Sequence, residues 1–300
     1  MDQNNGPLLT IGLSFFNNQF TLANAIKSVI LQTFANWELI LIDDGSTDNS
    51  YKIAKEFSDK DNRIRLISDG ENKGLIYRLN QIIDLAETKY IARMDSDDMM
   101  MPEKLEKQMM VLMENEEIDI IDTAVYTINE NDEPIGIKET EDINGWSKKK
   151  ILKQALLFHA TVVAKASWYK KNKYKDGFTR AEDFELWCRT FDTTVFYRIS
   201  EPLFIYREGN VNIKNYTTSN RTSRKIIRKY GPGILSKQEL ISQIIISHLK
   251  SNLYRFFALF NSQYILSSKR NNKLNSNQVE YVDNIIKRIK NWKQLSHIIV

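Results

Sequence analysis

Three clusters of acidic residues in this 300-residue sequence have the residue types and spacing to do chemistry. They are Asp43-Asp44, Asp95-Ser96-Asp97-Asp98 and Glu182-Asp183. The first two clusters each follow a short apolar run that is typical of a β-strand, and the third begins a segment, residues 184–190, that is typical of a helix. Carboxylates crowded together repel one another unless a cation or a proton relieves the repulsion. Two strands that end in paired acids therefore indicate a site for a divalent metal or a polar ligand.

The segments that must position these clusters alternate between strand and helix patterns. Apolar runs predict strands at residues 8–16, 37–42, 63–67 and 90–94, and helical spacing of apolar residues predicts a helix after each strand. This alternation indicates an α/β fold with a parallel sheet and right-handed crossovers. Ligands of such sheets bind beyond the carboxyl ends of the strands, where both strand-terminal acidic clusters fall.

The pattern changes in the second half of the sequence. Residues 118–128 predict one or two strands, and a short return strand is expected near Ile135 after a turn. Residues 161–163 predict another strand, and residues 195–206 predict a last β segment that Pro202 breaks. From Arg221 onward the pattern is helical.

This C-terminal region is strongly basic. Residues 221–300 hold 15 Lys or Arg and 3 Asp or Glu, whereas residues 1–220 hold 27 and 35. Apolar residues recur along it at helical intervals, at Ile241, Ile244, Ile245, Leu249, Leu253, Phe256, Phe257 and Phe260. The simplest interpretation is a helix packed against the rest of the chain or a partner subunit; the alternative is attachment to an anionic membrane surface. No recognition motif accompanies the charge, so nucleic acid is not expected as a partner.

Composition narrows the class of protein. Hydrophobic residues make up 42% of the chain and charged residues 27%, which is typical of globular domains with a sizeable core. The single cysteine, Cys188, allows no intramolecular disulfide, so a reducing compartment fits. No apolar run approaches the roughly 18 residues that a membrane span needs, and the N-terminus lacks the pattern of a signal peptide. The expectation is a cytoplasmic chain that does not cross a membrane.

Four motifs follow one another along the chain. They are residues 37–48, Asn72-Lys73-Gly74-Leu75 with Arg78-Leu79-Asn80, Met94-Asp95-Ser96-Asp97-Asp98, and Ala181-Glu182-Asp183-Phe184-Glu185-Leu186-Trp187. A bare Asp-x-Asp is a weak signal, but this order and spacing closely resembles glycosyltransferase family 2. The resemblance covers roughly residues 8–207. It implies the GT-A fold, a Rossmann-like and mostly parallel sheet flanked by helices, followed here by a C-terminal helical extension.

The resemblance implies a site for a nucleotide-sugar donor. Its donor-binding residues would be Ser14, Phe15, Asn17, Asp43, Asp44, Arg78, Asp95 and Ser96. The carboxylate of Asp44 or Asp43 would accept from the nucleobase, Arg78 would contact the diphosphate, and Asp95 would contact the ribose. A UDP-sugar is the favoured donor.

The same resemblance implies a metal site of Asp97 and Asp95 that holds Mn²⁺ or Mg²⁺, with Asp98 as a supporting ligand. A hard divalent cation prefers oxygen ligands, and it neutralises charge on a diphosphate as the glycosidic bond breaks.

On the acceptor side, the resemblance makes Asp183 the general base that takes the proton of the attacking hydroxyl. A single in-line displacement of this kind inverts the anomeric centre. Glu182, His159 and Trp187 would support the acceptor. A structural histidine at position 159 and a core tryptophan at position 187 are equally open interpretations.

Two features depart from the family pattern. The first strand ends Ser14-Phe15-Phe16-Asn17, so that Phe15 stands where the family often has a base-contacting threonine. Tyr206-Arg207 is not followed by the histidine that completes the metal site in many members; Glu208, Gly209 and Asn210 follow instead.

Each acidic cluster also has a purely structural alternative. Residues 43–46 could be a turn with a helix cap, residues 95–98 a solvated loop, and Glu182-Asp183 a helix N-terminus that favours negative charge.

The resulting hypothesis has two parts. Residues 1–215 would form a GT-A catalytic domain, and residues 216–300 a basic amphipathic helical extension. The function would be metal-dependent, inverting transfer from a nucleotide sugar to a hydroxyl of a glycan linked to a polyprenyl diphosphate, in assembly of bacterial O-antigen or capsule. The protein would be cytoplasmic or peripheral at the inner face of the membrane. The rival hypothesis is a non-catalytic sugar-nucleotide-binding or scaffold protein of the same fold, which the presence of both Asp97 and Asp183 disfavours.

Overall fold

A computed structural model describes residues 6–139, 141–143, 145–154, 156–209, 212–260, 266 and 271–293. The strands are β1 (Leu9–Phe15), β2 (Trp37–Asp43), β3 (Ile64–Ser68), β4 (Tyr90–Asp95), β5 (Met99–Met100), β6 (Ile120–Ile128), β7 (Pro134–Lys138), β8 (Val163–Lys165) and β9 (Phe196–Arg207). The helices are α1 (Leu22–Ile30), α2 (Ser50–Ser58), α3 (Leu75–Leu85), α4 (Lys104–Glu114), α5 (Lys148–Ile151), α6 (Ala166–Lys171), α7 (Glu182–Thr190), α8 (Ile213–Tyr230), α9 (Lys237–Ala258) and α10 (Ser276–Asn291).

All nine strands form one sheet, in the order β3-β2-β1-β4-β8-β6-β9-β5, with β7 paired to β6. The first four in this order are parallel, as predicted. The chain adds β2 and β3 on one side of β1 and then places β4 on the other side. The carboxyl ends of the central strands therefore meet where the strand order reverses, which is where open α/β sheets bind ligands.

The register of these strands brings two of the acidic clusters to one edge. Phe15 pairs with Asp43 on one side of β1, and Ser14 pairs with Asp95 on the other. The expectation that both clusters end neighbouring parts of the sheet is confirmed.

The other half of the sheet is mixed. β8 runs antiparallel between β4 and β6, while β9 runs parallel to β6. The strand predicted at residues 161–163 begins later, because a 3₁₀ turn occupies His159–Thr161. Pro202 does not break β9. The register shifts around Ala124, which pairs with Pro202, and such an irregularity tolerates a residue that donates no hydrogen bond.

The sheet is covered on both faces, as the alternation within β2 shows. Leu39 and Leu41 belong to one hydrophobic cluster with α1, α2 and α4, whereas Ile40 and Ile42 belong to another with α3, α6 and α7. Successive side chains of a strand point to opposite faces, so the two clusters are two layers of core around one sheet.

The C-terminal helices differ from the expectation in two ways. α8 begins at Ile213, eight residues before the predicted start at Arg221, so the predicted boundary at residue 215 falls in its first turn. The buried residues of α9 are Ser247, Ser251 and Tyr254, which face α8, and not the apolar stripe. The interpretation that the stripe packs on the rest of the chain is therefore wrong for its six exposed members, whereas packing on a partner subunit stays a prediction. The two-part division itself stays a prediction. No helix within the described ranges is both long enough and apolar enough to cross a membrane.

Helix α10, the last in the described part of the chain, returns to the sheet. Val282, Ile286 and Ile289 are buried on one of its faces, against residues of β5, β6 and β7. The Lys27 ammonium of α1 also donates to the Lys290 carbonyl over 3.0 Å. This helix is part of the same core as the sheet.

We expect Ile286→Ala to lower the free energy of unfolding by about 2–5 kcal/mol, because it removes a side chain that is 2% exposed and leaves a cavity. Chemical denaturation measures the change. Val279→Ala on the same helix, where the side chain is 37% exposed, is the matched control and should cost much less. Equal effects of the two substitutions would show that α10 is not anchored as described.

Candidate active site

A cavity of about 620 Å³ opens at the carboxyl end of β4. It is lined by residues from the α3 N-terminus, from β4 and its following loop, and from the loop that enters α7. These are Lys73, Gly74, Leu75, Ile76, Tyr77, Arg93, Asp95, Asp97, His159, Asp176, Gly177, Thr179, Arg180, Glu182, Asp183 and Tyr206. Residues of two predicted acidic clusters, Asp95 with Asp97 and Glu182 with Asp183, thus line the same cavity.

Asp95, Asp97 and Asp98 form a tight group at the end of β4. One carboxylate oxygen from each lies within 4.8 Å of the others. The backbone N–H of Arg207 donates to Asp98 Oδ1 over 2.7 Å, but the buried Oδ2 has no partner among the described residues. Burial and the charges of Asp97 and Asp95 raise the pKa of Asp98 well above its ordinary value. Removal from water and the charge of Asp95 raise the pKa of Asp97 to about 6.

This donor set fits a hard divalent cation. It offers carboxylate oxygens alone, one of them buried and unpartnered, and Mg²⁺ and Mn²⁺ prefer oxygen ligands. A cation would also relieve the repulsion that raises the pKa values of the carboxyl groups. The solvated-loop alternative for residues 95–98 does not account for the burial of Asp98, which is 1% exposed.

Arg93, which the sequence interpretation missed, neutralises part of this charge. Its guanidinium donates to both oxygens of Asp95, over 2.9 and 2.6 Å, and is 7% exposed. Asp95 is thereby held in place two residues after Arg93 on β4. The signal was available, because a strand buried on both faces rarely carries a charged residue that has no partner.

The predicted base is at the beginning of α7. Asp183 lies in the first helical turn beside Glu182 and lines the cavity. Burial raises the pKa of Asp183, although a backbone N–H and the charge of Arg93 oppose the shift. A carboxylate with a raised pKa is a stronger base than an exposed one. Glu182, 7% exposed, has its pKa raised by burial and by Asp183.

His159 and Trp187 lie side by side but face different spaces. His159 lines the cavity and its Nε2 is 2.7 Å from the Tyr174 hydroxyl. Burial and the charge of Arg93 lower its pKa well below the usual value, so the ring is neutral. Trp187 is 1% exposed and packs edge-on against His159, with ring centroids 6.1 Å apart. It does not line the first cavity.

Asp44, the predicted donor-binding residue that directly follows β2, accepts hydrogen bonds from groups of the protein itself. Asp44 Oδ1 accepts from the backbone N–H of Lys73 over 2.8 Å and from Arg78 Nε over 2.7 Å. Its Oδ2 accepts from the Gly74 N–H over 3.0 Å. Gly74 has φ +82°, a conformation that favours glycine. Asp44 therefore positions the loop that enters α3 and borders the cavity.

Arg78 corrects the interpretation of that motif. Its side chain is fully buried, and its N–H groups bond to Asp44, Asp69, Gln81 and the Glu71 carbonyl. No donor is left for a diphosphate, and Arg78 is absent from the residues that line the cavity. In this structure Arg78 positions the loop at residues 69–74, and the predicted diphosphate contact finds no support.

The remaining predicted donor residues form the adjoining loops. Asp43 accepts from the Ser46 N–H and the Ser68 hydroxyl, and Phe15 is 2% exposed in the core. Asn17, with φ +55°, accepts from the Thr47 N–H over 2.8 Å. The Ser96 hydroxyl donates to Asn18 Oδ1 over 2.9 Å. Among Ser14, Phe15, Asn17, Asp43, Asp44 and Ser96, none lines the described cavity, and their predicted donor contacts stay predictions.

The sequence and the fold of this chain are both similar to those of known glycosyltransferases. A sequence model described as glycosyl transferase family 2 matches residues 10–185, more than half of the chain. The chain belongs to this family. It is a glycosyltransferase by family membership, and the resemblance drawn from the four motifs is confirmed.

Three relatives illustrate the range of similarity. EpsE of Bacillus subtilis is 34% identical over 69% of this chain and 75% of its own length. The O-antigen biosynthesis glycosyltransferase WbnJ of Escherichia coli is 31% identical over 77% of this chain and 88% of its own. The Escherichia coli enzyme UDP-Glc:α-D-GlcNAc-diphosphoundecaprenol β-1,3-glucosyltransferase WfgD is 32% identical over 60% of this chain and 68% of its own.

Solved structures share the fold. TarS of S. aureus, residues 1–349, in complex with UDP-GlcNAc superimposes with a TM-score of 0.60 at 15% identity, over 83% of this chain and 72% of that one. The mannosyltransferase PcManGT of Pyrobaculum calidifontis, in complex with GDP-Man and Mn²⁺, gives 0.57 at 11% identity, over 96% and 81%. The predicted GT-A fold is confirmed.

The buried role of Arg78 gives a stability prediction. We expect Arg78→Met to lower the free energy of unfolding by about 3–5 kcal/mol, because it leaves the buried Asp44 carboxylate without its cation. Chemical denaturation measures the loss. Arg65→Met, at an exposed arginine of β3, is the matched control and should be nearly neutral. A stable Arg78→Met protein that binds donor poorly would instead favour the diphosphate contact.

Proposed function

We propose that this glycosyltransferase inverts the anomeric centre, depends on a divalent metal, and transfers a sugar from a UDP-sugar to a hydroxyl of a lipid-linked glycan. One observation carries the proposal: Asp183 and the Asp95–Asp97 pair face the same cavity. The transfer chemistry needs a base for the acceptor and countercharge for the leaving group, and both lie at this one space.

The choice of UDP as the nucleotide rests on one relative in sequence and one solved structure of the same fold. WfgD is named as a glucosyltransferase that uses UDP-Glc, and TarS has been solved in complex with UDP-GlcNAc. PcManGT binds GDP-Man, so the fold also accommodates a guanine nucleotide. The cavity, at about 620 Å³, falls within the range of small-molecule sites.

Metal dependence is supported by the carboxylate group and by Mn²⁺ in PcManGT. Asp97 and Asp95 would hold the cation, with Asp98 as the supporting ligand. Bound there, Mn²⁺ or Mg²⁺ supplies positive charge against the diphosphate leaving group.

The chain's own residues account for the proton and the direction of attack. Asp183 takes the proton of the acceptor hydroxyl as that oxygen forms its bond to the anomeric carbon. The bond between the anomeric carbon and the β-phosphate oxygen breaks, and the nucleoside diphosphate leaves with the electron pair. A single displacement needs no second carboxylate as nucleophile, and it inverts the anomeric centre. Arg93 donates two hydrogen bonds to Asp95 and so holds that carboxylate in place beside the cavity.

A lipid-linked acceptor in surface-polysaccharide assembly, of the O-antigen or capsule type, is supported by the names of two relatives. WbnJ is an O-antigen biosynthesis enzyme, and the acceptor of WfgD is a diphosphoundecaprenol-linked GlcNAc.

The decisive test uses two variants and two measurements. We expect Asp183→Asn to reduce transfer by about 10²–10⁴-fold, because the base is lost, while UDP-sugar with Mn²⁺ still raises the melting temperature. We expect Asp97→Asn to weaken the Mn²⁺-dependent part of that rise. Radiolabelled transfer and thermal-shift assays give the two readouts.

Glu185→Gln is not suitable as a control, because Glu185 is buried in an ion-pair network. Asp59→Asn, on the exposed surface after α2, is the matched control and should leave both readouts unchanged. Normal transfer by Asp183→Asn would disprove the assigned base. A folded protein that binds UDP-sugar but transfers nothing to any acceptor would favour the non-catalytic scaffold.

Attachment to the inner face of the membrane is the second part of the proposal. Ile241, Ile245, Leu249, Leu253 and Phe256 lie along one line of α9 and are each exposed by 46% to 61%, and Phe260, just beyond its end, is exposed by 67%. Basic residues are in excess throughout residues 221–300. Apolar burial combined with basic charge is what interfacial helices use on anionic lipid.

We expect the protein to sediment with vesicles of phosphatidylglycerol and phosphatidylcholine in equal parts, and much less with phosphatidylcholine alone. The double change Leu249→Ser with Phe256→Ser should weaken binding by about tenfold or more, because two apolar contacts with lipid are lost. Met110→Ser with Met113→Ser, which removes exposed apolar residues of α4, is the control. Equal losses, or no binding by the unaltered protein, would contradict a membrane role for α9.

A further inference from the structure

A second cavity lies on the other side of the base helix. Its volume is about 350 Å³, and its walls come from α7, α8, α9 and the segment after α5. Its lining includes Arg180, Asp183, Trp187, Ser223, Ile246 and Lys250. More than half of its lining residues are polar.

The two cavities share Arg180 and Asp183. The proposed base therefore stands between the donor space and the second cavity. A hydroxyl group that enters from the second cavity meets Asp183 on its way to the donor. Arg180 lies two residues before the beginning of α7, the helix that carries Asp183. Its φ of +67° is a strained conformation for a residue other than glycine.

Two cationic side chains that line the cavity have no ion-pair partner in the described part of the chain. Lys250 is exposed, and neither it nor Arg180 forms an ion pair with any residue in the described part of the chain. A third cation, Lys153, is paired with Glu239 over 2.8 Å. The indole N–H of Trp187, 1% exposed, also has no hydrogen-bond partner among the described residues. A ligand with anionic groups and several acceptor oxygens would satisfy these donors.

The far edge of the cavity continues into the exposed stripe of α9. Ile246 and Lys250 line the cavity, and Ile245 and Leu249 lie beside them on the exposed surface. The cavity thus combines the carboxylate of Asp183, polar groups and cations, and the exposed apolar stripe of α9 lies at its edge. This combination fits a molecule that carries a sugar, a diphosphate and a hydrocarbon chain.

We propose that the second cavity is the acceptor site, and that it binds the sugar-diphosphate head of a polyprenyl-linked acceptor. The sugar hydroxyl reaches Asp183, Arg180 and Lys250 bind the diphosphate, and the hydrocarbon leaves along α9. The proposal rests on the proposed function, because it takes Asp183 as the base of the transfer. The helices after residue 212 are then part of the substrate site.

The test compares acceptor binding with donor binding in the full-length protein. The acceptor probe is α-D-GlcNAc-diphosphoundecaprenol in detergent, and the donor is UDP-Glc with Mn²⁺. Ser223→Trp fills the cavity from α8, and Lys250→Gln removes one cation. We expect each to raise the acceptor KM by about tenfold or more. Ser223→Trp occupies space that the acceptor needs, and Lys250→Gln loses a contact to a charged group. The donor KM and the donor-induced rise in melting temperature should not change.

A matched control tests whether a change in acceptor KM comes from loss of the acceptor contact and not from a general change in charge or stability. Lys237→Gln removes an exposed lysine at the beginning of α9, outside the lining of the cavity. This variant should behave as the unaltered enzyme, and Lys250→Arg should keep an acceptor KM close to that of the unaltered enzyme. Equilibrium binding of the probe in the presence of UDP, without turnover, should give the same ranking.

The outcomes distinguish this inference from the proposed function. Unchanged acceptor KM in both Ser223→Trp and Lys250→Gln would overturn the acceptor site while transfer itself persists. An unaltered enzyme that binds the donor but not the probe would overturn the sugar-diphosphate ligand. Absence of both donor binding and transfer in the unaltered protein would instead reject the proposed function.

Discussion

The mutual repulsion of Asp95, Asp97 and Asp98 is the constraint on which the site depends. Three carboxylates with oxygens within 4.8 Å cannot all stay charged at low cost without compensation. The fold supplies the guanidinium of Arg93, the nearby charge of Arg207 and one backbone N–H, to Asp98. These do not offset burial and the mutual repulsion, which together raise the pKa values of Asp97 and Asp98. The deficit is what makes a divalent cation a fitting occupant.

The Asp44–Arg78 pair shows how a motif can be necessary to a site without touching its ligand. Asp44 binds two backbone N–H groups at the entrance to α3 as well as Arg78, and Arg78 binds Asp69 in turn. These contacts fix the segment at residues 73–77, which forms one wall of the donor cavity. Loss of either partner would leave a buried charge uncompensated and release that wall.

Sequence reasoning predicted the first half of the fold well, because apolar runs and helical spacing are local signals. It also placed Asp95 and Asp97 at the ligand-binding edge, because strand ends in a parallel sheet lie at one edge. Asp183, at the beginning of a helix, was assigned to the same site by the family resemblance alone. It missed the pairing that depends on distant contacts: β8 inserts antiparallel between β4 and β6, and α10 returns to the sheet. It assigned Arg78 to the ligand, since a pattern of residue types does not reveal that all donors of a side chain are already used.

The exposed stripe of α9 was the strongest apolar pattern in the C-terminal region, and it is the pattern that sequence reasoning placed wrongly. Apolar periodicity normally marks the face that packs on a core. Here small and polar residues of α9, such as Ser247 and Ser251, make the contact with α8, and the apolar residues face outward. A large exposed apolar surface is costly in water and marks an interaction site. Because that surface borders a cavity that Asp183 also lines, the proposed lipid attachment and the proposed acceptor site would involve the same helix.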